Sequence, residues 1–351
     1  MGTTAERSSI PVTATTGGWV ELGRTTLGSA GDTITVSSLA DKRYYMILGD
    51  FLQTGGNVDT ITRLGNSSVD TGSNYAYRFQ RDGATDITAT SQTGITGDPT
   101  VAGNLLTVGY IANRSANEKL LLRHSVNNQA SGAATAPRRS EITGKWVNTS
   151  NPLDVVNFYN SDAGDYNTGS EVVVLGWDPD DTHANNFWQE LASDSPTGSA
   201  GESMDVSFTA KKYLWVQWYI DADSPYSLSQ MRVGNSTVDS GTNYADRYSL
   251  NGAADGTRTS QNKWDLNAST LNAGEQEFGN MFIINNASNE KLMMAWIGGN
   301  NTGAGAGNAP HRSAWVGKWT NTSNQIDTIQ MLTNGSDTKT SKSFLKVWGA
   351  D

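Results

Sequence analysis

The chain has 351 residues, of which 36% are hydrophobic and 17% are charged, and its formal net charge is −10. The length fits two ordinary domains, and the 37 glycines disfavour a helical bundle, a coiled coil or a helix-rich enzyme. The acidic charge disfavours direct nucleic-acid binding, because phosphate binding needs a basic surface. We expect no membrane insertion, since every apolar run is shorter than a bilayer span. The absence of cysteine excludes disulfides and thiolate metal sites.

The sequence contains a long internal repeat. Residues 63–79 recur 169 positions later with 11 of 17 residues identical. The block that begins at Asn117 recurs 172 positions later, and residues 136–151 recur 173 positions later. The growing offset predicts about four extra residues in the second copy, placed in loops.

The edges of the repeat predict the domain organisation. The segments are a polar N-terminal arm without a secretion signal (1–18), a first domain (19–178), a linker (179–187) and a second domain (188–351). So short a linker predicts that the two domains lie side by side.

Within each copy, apolar runs of strand length follow one another. Tyr44–Gly49, Leu120–Leu122 and Glu171–Leu175 in the first copy, and Tyr213–Ile220 in the second, are rich in β-branched, aromatic or leucine residues. Turn clusters such as Thr54–Asn57 separate them, and no window shows a helical apolar period. We therefore expect an all-β protein of two tandem, jelly-roll-like β-sandwich domains, related by internal duplication, with about eight to ten strands each.

The most specific repeated block contains an Asp, an Asn and a Tyr at matched positions. One interpretation is a ligand or interface loop with these side chains facing outward. The other is a tight turn in which Asp and Asn bond the local backbone and Tyr packs inward, and the repetition favours this second interpretation. The candidate contacts in the two copies are Asp70, Asn74, Tyr75, Asp239, Asn243 and Tyr244.

A Gly-Lys-Trp motif also occurs in both copies. Trp146 and Trp319 are predicted to be equivalent buried core residues, with Lys145 and Lys318 extending to solvent. The alternative is a sugar-stacking role for the two tryptophans.

Signals for catalysis or for a bound cofactor are weak. His124, His183 and His311 are isolated, and His311 aligns with Arg138, which predicts a polar surface position. The acidic stretch Asp178–Asp181 lacks the spacing of a calcium loop and is interpreted as a solvated turn between the domains. We predict no catalytic residue, no metal and no cofactor. A pair of carboxylates for glycoside hydrolysis stays open as an alternative.

Several blocks resemble virion structural proteins of marine tailed viruses and environmental viral sequences. They are WVELGRTTLGSAGDTITVSSLADKRYYM, DTGSNYAYRF, APRRSEITGKWVNTSN and EVVVLGWD, and the resemblance extends from about Trp19 to Asp351. In that family, β-sandwich units of this kind occur alone or in tandem. The resemblance implies a non-enzymatic component of the virus particle, as capsid decoration, head fibre or tail appendage.

From this resemblance we expect a virion protein that is assembled in the host cytoplasm. Its expected partners are other virion proteins and further copies of itself, in a homo-oligomer such as a trimer. A chain without cysteine suits assembly in a reducing compartment. The alternative is a glycan-binding module of a host-recognition fibre. Aromatic side chains in an exposed groove would favour the glycan, and aromatic side chains confined to cores and contacts would favour assembly.

Overall fold

A computed structural model describes residues 18–97, 103–182, 185–223, 229–266, 271–300, 305–332 and 337–351. These residues are all-β and contain no α-helix. Accordingly, the described part of the chain has no helix that is long and apolar enough to cross a membrane. Residues 1–17 of the predicted arm, and His183, lie outside the described residues.

Fourteen strands lie in the described residues up to Trp177. They are β1 (Val20–Thr26), β2 (Thr33–Val36), β3 (Tyr44–Phe51), β4 (Gln53–Thr54), β5 (Ile61–Asn66), β6 (Ser68–Val69), β7 (Tyr75–Arg81), β8 (Ile87–Gln92), β9 (Leu105–Ala112), β10 (Lys119–Asn127), β11 (Arg138–Trp146), β12 (Val155–Tyr159), β13 (Asp165–Tyr166) and β14 (Glu171–Trp177).

Thirteen strands lie in the described residues that follow. They are β15 (Gln189–Asp194), β16 (Met204–Ser207), β17 (Tyr213–Asp221), β18 (Gln230–Asn235), β19 (Thr237–Val238), β20 (Tyr244–Leu250), β21 (Gly256–Gln261), β22 (Trp264–Asp265), β23 (Gln276–Ile284), β24 (Lys291–Gly299), β25 (His311–Trp319), β26 (Thr328–Leu332) and β27 (Phe344–Ala350).

Each half of the chain forms one large and one small antiparallel sheet. In the first half the orders are β1-β14-β3-β9-β10-β11-β7-β8 and β2-β12-β5-β6, with β4 and β13 as a separate pair. In the second half they are β15-β27-β17-β23-β24-β25-β20-β21 and β16-β26-β18-β19, with β22 beside β18. The predicted all-β fold with β-sandwich architecture is therefore confirmed. The two strand orders agree position by position, as the repeated sequence predicts, and the duplication itself stays an inference from that repeat.

Each sandwich encloses its own apolar core, because alternate residues of the large-sheet strands face the small sheet. Tyr45 and Ile47 of β3 point into the first core, and Val216 and Trp218 of β17 point into the second. The strands exceed the predicted number in both halves. The extra ones include two-residue ladders and polar edge strands such as β8, which carry no apolar run for sequence reasoning to detect.

A third apolar core joins the two large sheets face to face. Its residues include Met46 and Leu48 from the first sheet, and Phe282 and Met294 from the second. Both faces of β3 are therefore covered, which explains its almost continuous apolar sequence. The domains pack face to face rather than side by side, because each large sheet has apolar residues on both faces.

Paired polar groups border this interface on one side. Lys212 lies 3.2 Å from Asp50 and 3.0 Å from Glu171, and the Tyr213 hydroxyl donates to Glu171 at 2.8 Å. Burial raises the pKa of Asp50, against the opposing effect of Lys212. Burial would also raise the pKa of Glu171, but hydrogen bonds from Thr26 and the charge of Lys212 outweigh it and lower that pKa. The interface is thus held by apolar packing and by compensated buried charges.

Candidate functional site

The repeated Asp-Asn-Tyr block forms a hydrogen-bonded turn in the first sandwich. The Asp70 carboxylate accepts bonds from Trp146 Nε1 at 2.7 Å, from the Gly72 amide at 2.8 Å and from Asn74 Nδ2 at 2.8 Å. Burial would raise the pKa of Asp70, but these donors together hold it below its usual value. Tyr75 is buried, and its hydroxyl lies 2.8 Å from the carbonyl oxygen of Asp70.

The second sandwich repeats this arrangement. Asp239 accepts from Trp319 Nε1, from the Gly241 amide and from Asn243 Nδ2, each at 2.8 Å. The buried Tyr244 places its hydroxyl 2.8 Å from the carbonyl oxygen of Asp239. The structure therefore brings each predicted triplet together and supports its interpretation as local framework. A ligand or interface role for these six residues stays a prediction.

The prediction that Trp146 and Trp319 are buried core residues is confirmed, since each is only 1% exposed. The prediction for their lysine neighbours holds in one copy only. Lys145 pairs with Glu118 at the surface, at 2.9 Å. Lys318 is fully buried, because the first domain covers it, and it donates to the Asn128 carbonyl at 3.1 Å.

Two lysines that sequence reasoning did not single out support these tryptophans. Lys119 Nζ lies 5.7 Å from the centre of the Trp146 ring, and Lys291 Nζ lies 5.6 Å from that of Trp319. Both lysines are 0% exposed and donate to backbone carbonyl oxygens, and burial lowers the pKa of Lys291 to about 8. The signal in the sequence was the recurrence of Asn-Glu-Lys-Leu in both copies.

A cleft lies between the two large sheets. It has a volume of about 710 Å³. Strands β7, β10 and β11 form one wall, and β23, β24 and β25 form the other. The side chains that define its chemistry are Leu122, His124, Phe278, Asn280, Trp296 and Arg312. We refer to this feature as the interdomain cleft.

Aromatic and apolar groups form part of the cleft lining. His124 contacts Trp296 edge to face, with ring centres 4.7 Å apart. These two residues occupy equivalent positions, since they differ by the offset of 172 that relates Asn117 to Asn289. Burial lowers the pKa of His124, against the opposing charge of Glu141, so the ring is neutral at pH 7. Phe278 is 46% exposed.

Charged groups also line the cleft. Arg78 pairs with Asp86 at 3.2 Å, and Arg139 pairs with Glu141. Arg312 is exposed and makes no ion pair within the described residues. The cleft thus combines aromatic surface, neutral donors and a single uncompensated cation among its described side chains.

Sequence reasoning missed this site, because its residues come from strands far apart in the chain. In the sequence, His124 is isolated and Trp296 lies in no repeated motif. His311, predicted at the surface, is 9% exposed and lies 3.2 Å from the Asn251 side-chain amide, so that prediction is wrong. Asn251 lies in the turn between β20 and β21, and in the first copy the aligned Arg138 lies 3.9 Å from Asp82, which is the equivalent of Asn251.

The acidic stretch at the domain junction is bound by cationic neighbours. Lys42 contacts Asp181 at 2.5 Å, and the Arg43 amide donates to Asp178 at 2.9 Å. The Asp178 amide in turn donates to Asp181 at 2.8 Å. These contacts agree with the interpretation as a turn between the domains.

No protein-family model and no curated protein match this chain. Among solved structures, one described as "Unveiling the Mechanism Behind the in-meso Crystallization of Membrane Proteins" has 10% identity and a TM-score of 0.13, with 78% of this chain and 82% of that chain covered. The COG4313 outer membrane channel from Pseudomonas putida F1 has 12% identity and a TM-score of 0.12, with 80% and 97% covered. A putative MaoC domain protein dehydratase from Chloroflexus aurantiacus J-10-fl has 9% identity and a TM-score of 0.11, with 81% and 77% covered. Scores this low carry no argument about fold or function.

Proposed function

We propose that this chain is a non-enzymatic structural protein of a virus particle and that it acts by self-assembly, as capsid decoration, shell or tail appendage. The sequence blocks resemble such proteins over nearly the whole chain. Two sandwiches joined by an extensive apolar interface form a stiff unit, which suits a structural role better than one that needs domain motion.

One observation carries the proposal: an apolar strip is open on the first large sheet and covered on the second. Tyr44, Leu120 and Leu122, which we call the open strip, are 38%, 55% and 52% exposed. Their equivalents Tyr213, Leu292 and Met294 are 1%, 0% and 1% exposed, because the first domain packs over them. The fold thus uses this surface as an interface in one copy and leaves it unpartnered in the other. We infer that a second copy of the chain covers it.

Sheet edges are less suited to assembly than this face. In the described sheets, the outer strands β1 and β15 shift register opposite their neighbours, between Glu21 and Gly23 and between Glu190 and Ala192. The pairings of β8 and β21 shift register as well. Such irregularities twist an edge and disfavour strand addition. When the open strip meets a different surface of the next chain, the contact is head-to-tail, and such contacts close into rings such as a trimer or extend into filaments.

The carboxylates of the cleft support a non-enzymatic role. Among the described residues that line it, Asp86 and Glu141 have side chains that are 40% and 35% exposed, and each pairs with an arginine. A glycosidase needs a general acid in a shielded, apolar environment, which neither carboxylate has.

Light scattering after size exclusion tests the proposal. The unmodified chain should elute as a trimer or larger ring, and Leu120→Asp should reduce it to a monomer by placing a charge in the buried contact. Thr90→Asp, on exposed strand β8, is the matched control and should leave the oligomer intact. A stable monomer of the unmodified chain at high concentration would overturn the proposal.

A second candidate, a glycan-binding module of a host-recognition fibre, is favoured by the interdomain cleft. Phe278 and Trp296 are aromatic groups in a groove, the placement that the sequence expectation associates with a glycan rather than with assembly. Binding of a purified oligosaccharide by the chain, lost in Phe278→Ala, would support this candidate. Unchanged binding in that variant would remove the cleft as its site.

A further inference from the structure

The interdomain cleft contains polar groups that have no partner within the described residues. They are the ring nitrogens of His124, the indole N–H of Trp296, the side-chain nitrogen of Asn280 and the guanidinium of Arg312. Asn280 is fixed in orientation, because its oxygen accepts from Trp215 Nε1 at 2.6 Å and from Gln217 Nε2 at 3.0 Å. Its amide nitrogen is therefore the atom left to donate to a ligand.

Outside the cleft, polar groups at the same interface between the domains do have partners. There the Asn128 amide donates to Glu290 at 3.0 Å, and Lys212 contacts two carboxylates. Polar groups covered by protein are expected to find partners, since an unpaired buried group loses its hydrogen bonds to water without replacement. Several unpaired donors that converge in one cleft indicate a ligand site, and a volume near 710 Å³ suits a small molecule.

The mixture of groups identifies the class of ligand. Aromatic rings at Phe278 and Trp296 provide flat apolar surfaces for the aliphatic faces of sugar rings. Beside them, the neutral His124 can bond hydroxyl groups as donor or acceptor, and the Asn280 amide nitrogen can donate to them. An extended apolar ligand would leave these polar groups unpaired, so the arrangement favours a polyhydroxylated one.

The charge distribution refines that class. Arg78 and Arg139 are neutralised by Asp86, Glu141 and Asp255. Arg312, whose equivalent in the first copy is Arg139, has no such partner in the described part of the chain. Because the protein has a net charge of −10, a single exposed arginine without an ion pair in the lining of a polar cleft points to a specific anionic group on the ligand.

We propose that the interdomain cleft binds an acidic saccharide, with Phe278 and Trp296 against its sugar rings and Arg312 paired with its carboxylate or sulfate group. This inference rests on the glycan-binding candidate above and adds the ligand class and the residue that selects it. It is independent of the open strip, apart from Leu122, which lies at the border of both surfaces.

Calorimetric titration of the full chain with three probes of equal length tests the inference. The probes are an oligogalacturonate, a sulfated galactan oligomer and a neutral galactan oligomer. We expect binding of one acidic probe, and the comparison of the first two identifies carboxylate or sulfate as the group recognised. Arg312→Gln should weaken that binding about tenfold or more, since it removes a charge-assisted pair. Phe278→Ala should weaken it as well.

Two controls separate the site from general charge and folding effects. Arg114→Gln changes the same charge at an exposed position outside the cleft, and Ile87→Ala removes an apolar side chain that is 57% exposed, against 46% for Phe278. Both should bind like the unmodified chain, and all variants should keep its thermal unfolding midpoint. An equal loss of binding in Arg114→Gln would reduce the effect to net charge and overturn the inference.

The remaining outcomes distinguish the two levels of the argument. If the neutral oligomer binds as well as the acidic ones and Arg312→Gln has no effect, glycan binding stands and acid selection is wrong. If none of the three probes binds, both the inference and the glycan-binding candidate are wrong, while self-assembly is judged separately by light scattering.

Discussion

Truncation of either repeated tryptophan should strongly destabilise its sandwich. Trp146 and Trp319 are each 1% exposed, and replacing such a side chain with alanine costs about 3–5 kcal/mol of unfolding free energy. Each substitution also removes the indole donor to Asp70 or Asp239 and the ring beneath a buried lysine. At about 2–4 °C per kcal/mol for a unit of this size, the midpoint should fall by roughly 6–20 °C.

Differential scanning calorimetry of Trp146→Ala and Trp319→Ala measures this loss directly. Trp146→Phe and Trp319→Phe are the matched controls, because they keep most of the buried surface and lose the indole N–H. Their loss should be smaller, about 1–3 kcal/mol, which is the cost of a carboxylate deprived of one donor. The two positions should respond alike, since they occupy the same place in equivalent turns.

The result that would refute this reasoning is a pair of alanine variants with unchanged midpoints. If these variants also lost binding to a sugar or to a cell surface, the tryptophans would be ligand contacts. The repeated turns would then be binding loops rather than framework.

Three further predictions concern buried charge and assembly. Burial raises the pKa of Glu277 to about 7, so the folded state holds more protons than the unfolded state between roughly pH 4.5 and 7. Stability contributed by this group therefore falls as pH rises through that window. Glu277→Gln should reduce the difference in unfolding free energy between pH 5 and pH 8, measured by urea unfolding. An unchanged difference would contradict the assignment. Lys212→Met should cost about 3–5 kcal/mol of unfolding free energy, because it leaves Asp50 buried without its cation and leaves Glu171 paired with Arg24 alone. Limited proteolysis should then cut at the domain junction. If Lys212→Met resisted proteolysis as well as the unmodified chain does, apolar packing alone would join the domains. Leu120→Asp should abolish oligomers without lowering the thermal unfolding midpoint of the monomer, because Leu120 is exposed in the single chain. A lowered midpoint would show that Leu120 is a folding contact instead.

The sequence was sufficient for the fold class, because β-branched and aromatic runs mark the central strands β3, β14 and β17 directly. The repeat was sufficient to pair Trp146 with Trp319, since both lie in its longest block. Edge strands such as β8 were not predictable in this way, because their polar residues carry no periodic signal.

The cleft could not be predicted, because it depends on how two sheets pack rather than on any local motif. The exposed pattern of β10 offers a partial signal: Leu120 and Leu122 repeat the apolar positions of Leu292 and Met294. Only the structure shows that one pair is covered and the other open. His124 likewise gains its meaning from Trp296, which lies on another domain.

Sedimentation equilibrium of the unmodified chain tests the central claim of self-assembly most directly. The account predicts a mass of three or more chains that persists on dilution, because the open strip then lies in a subunit contact. A mass of one chain at the highest attainable concentration would contradict it, and the strip would then be an unpartnered surface with no role in assembly.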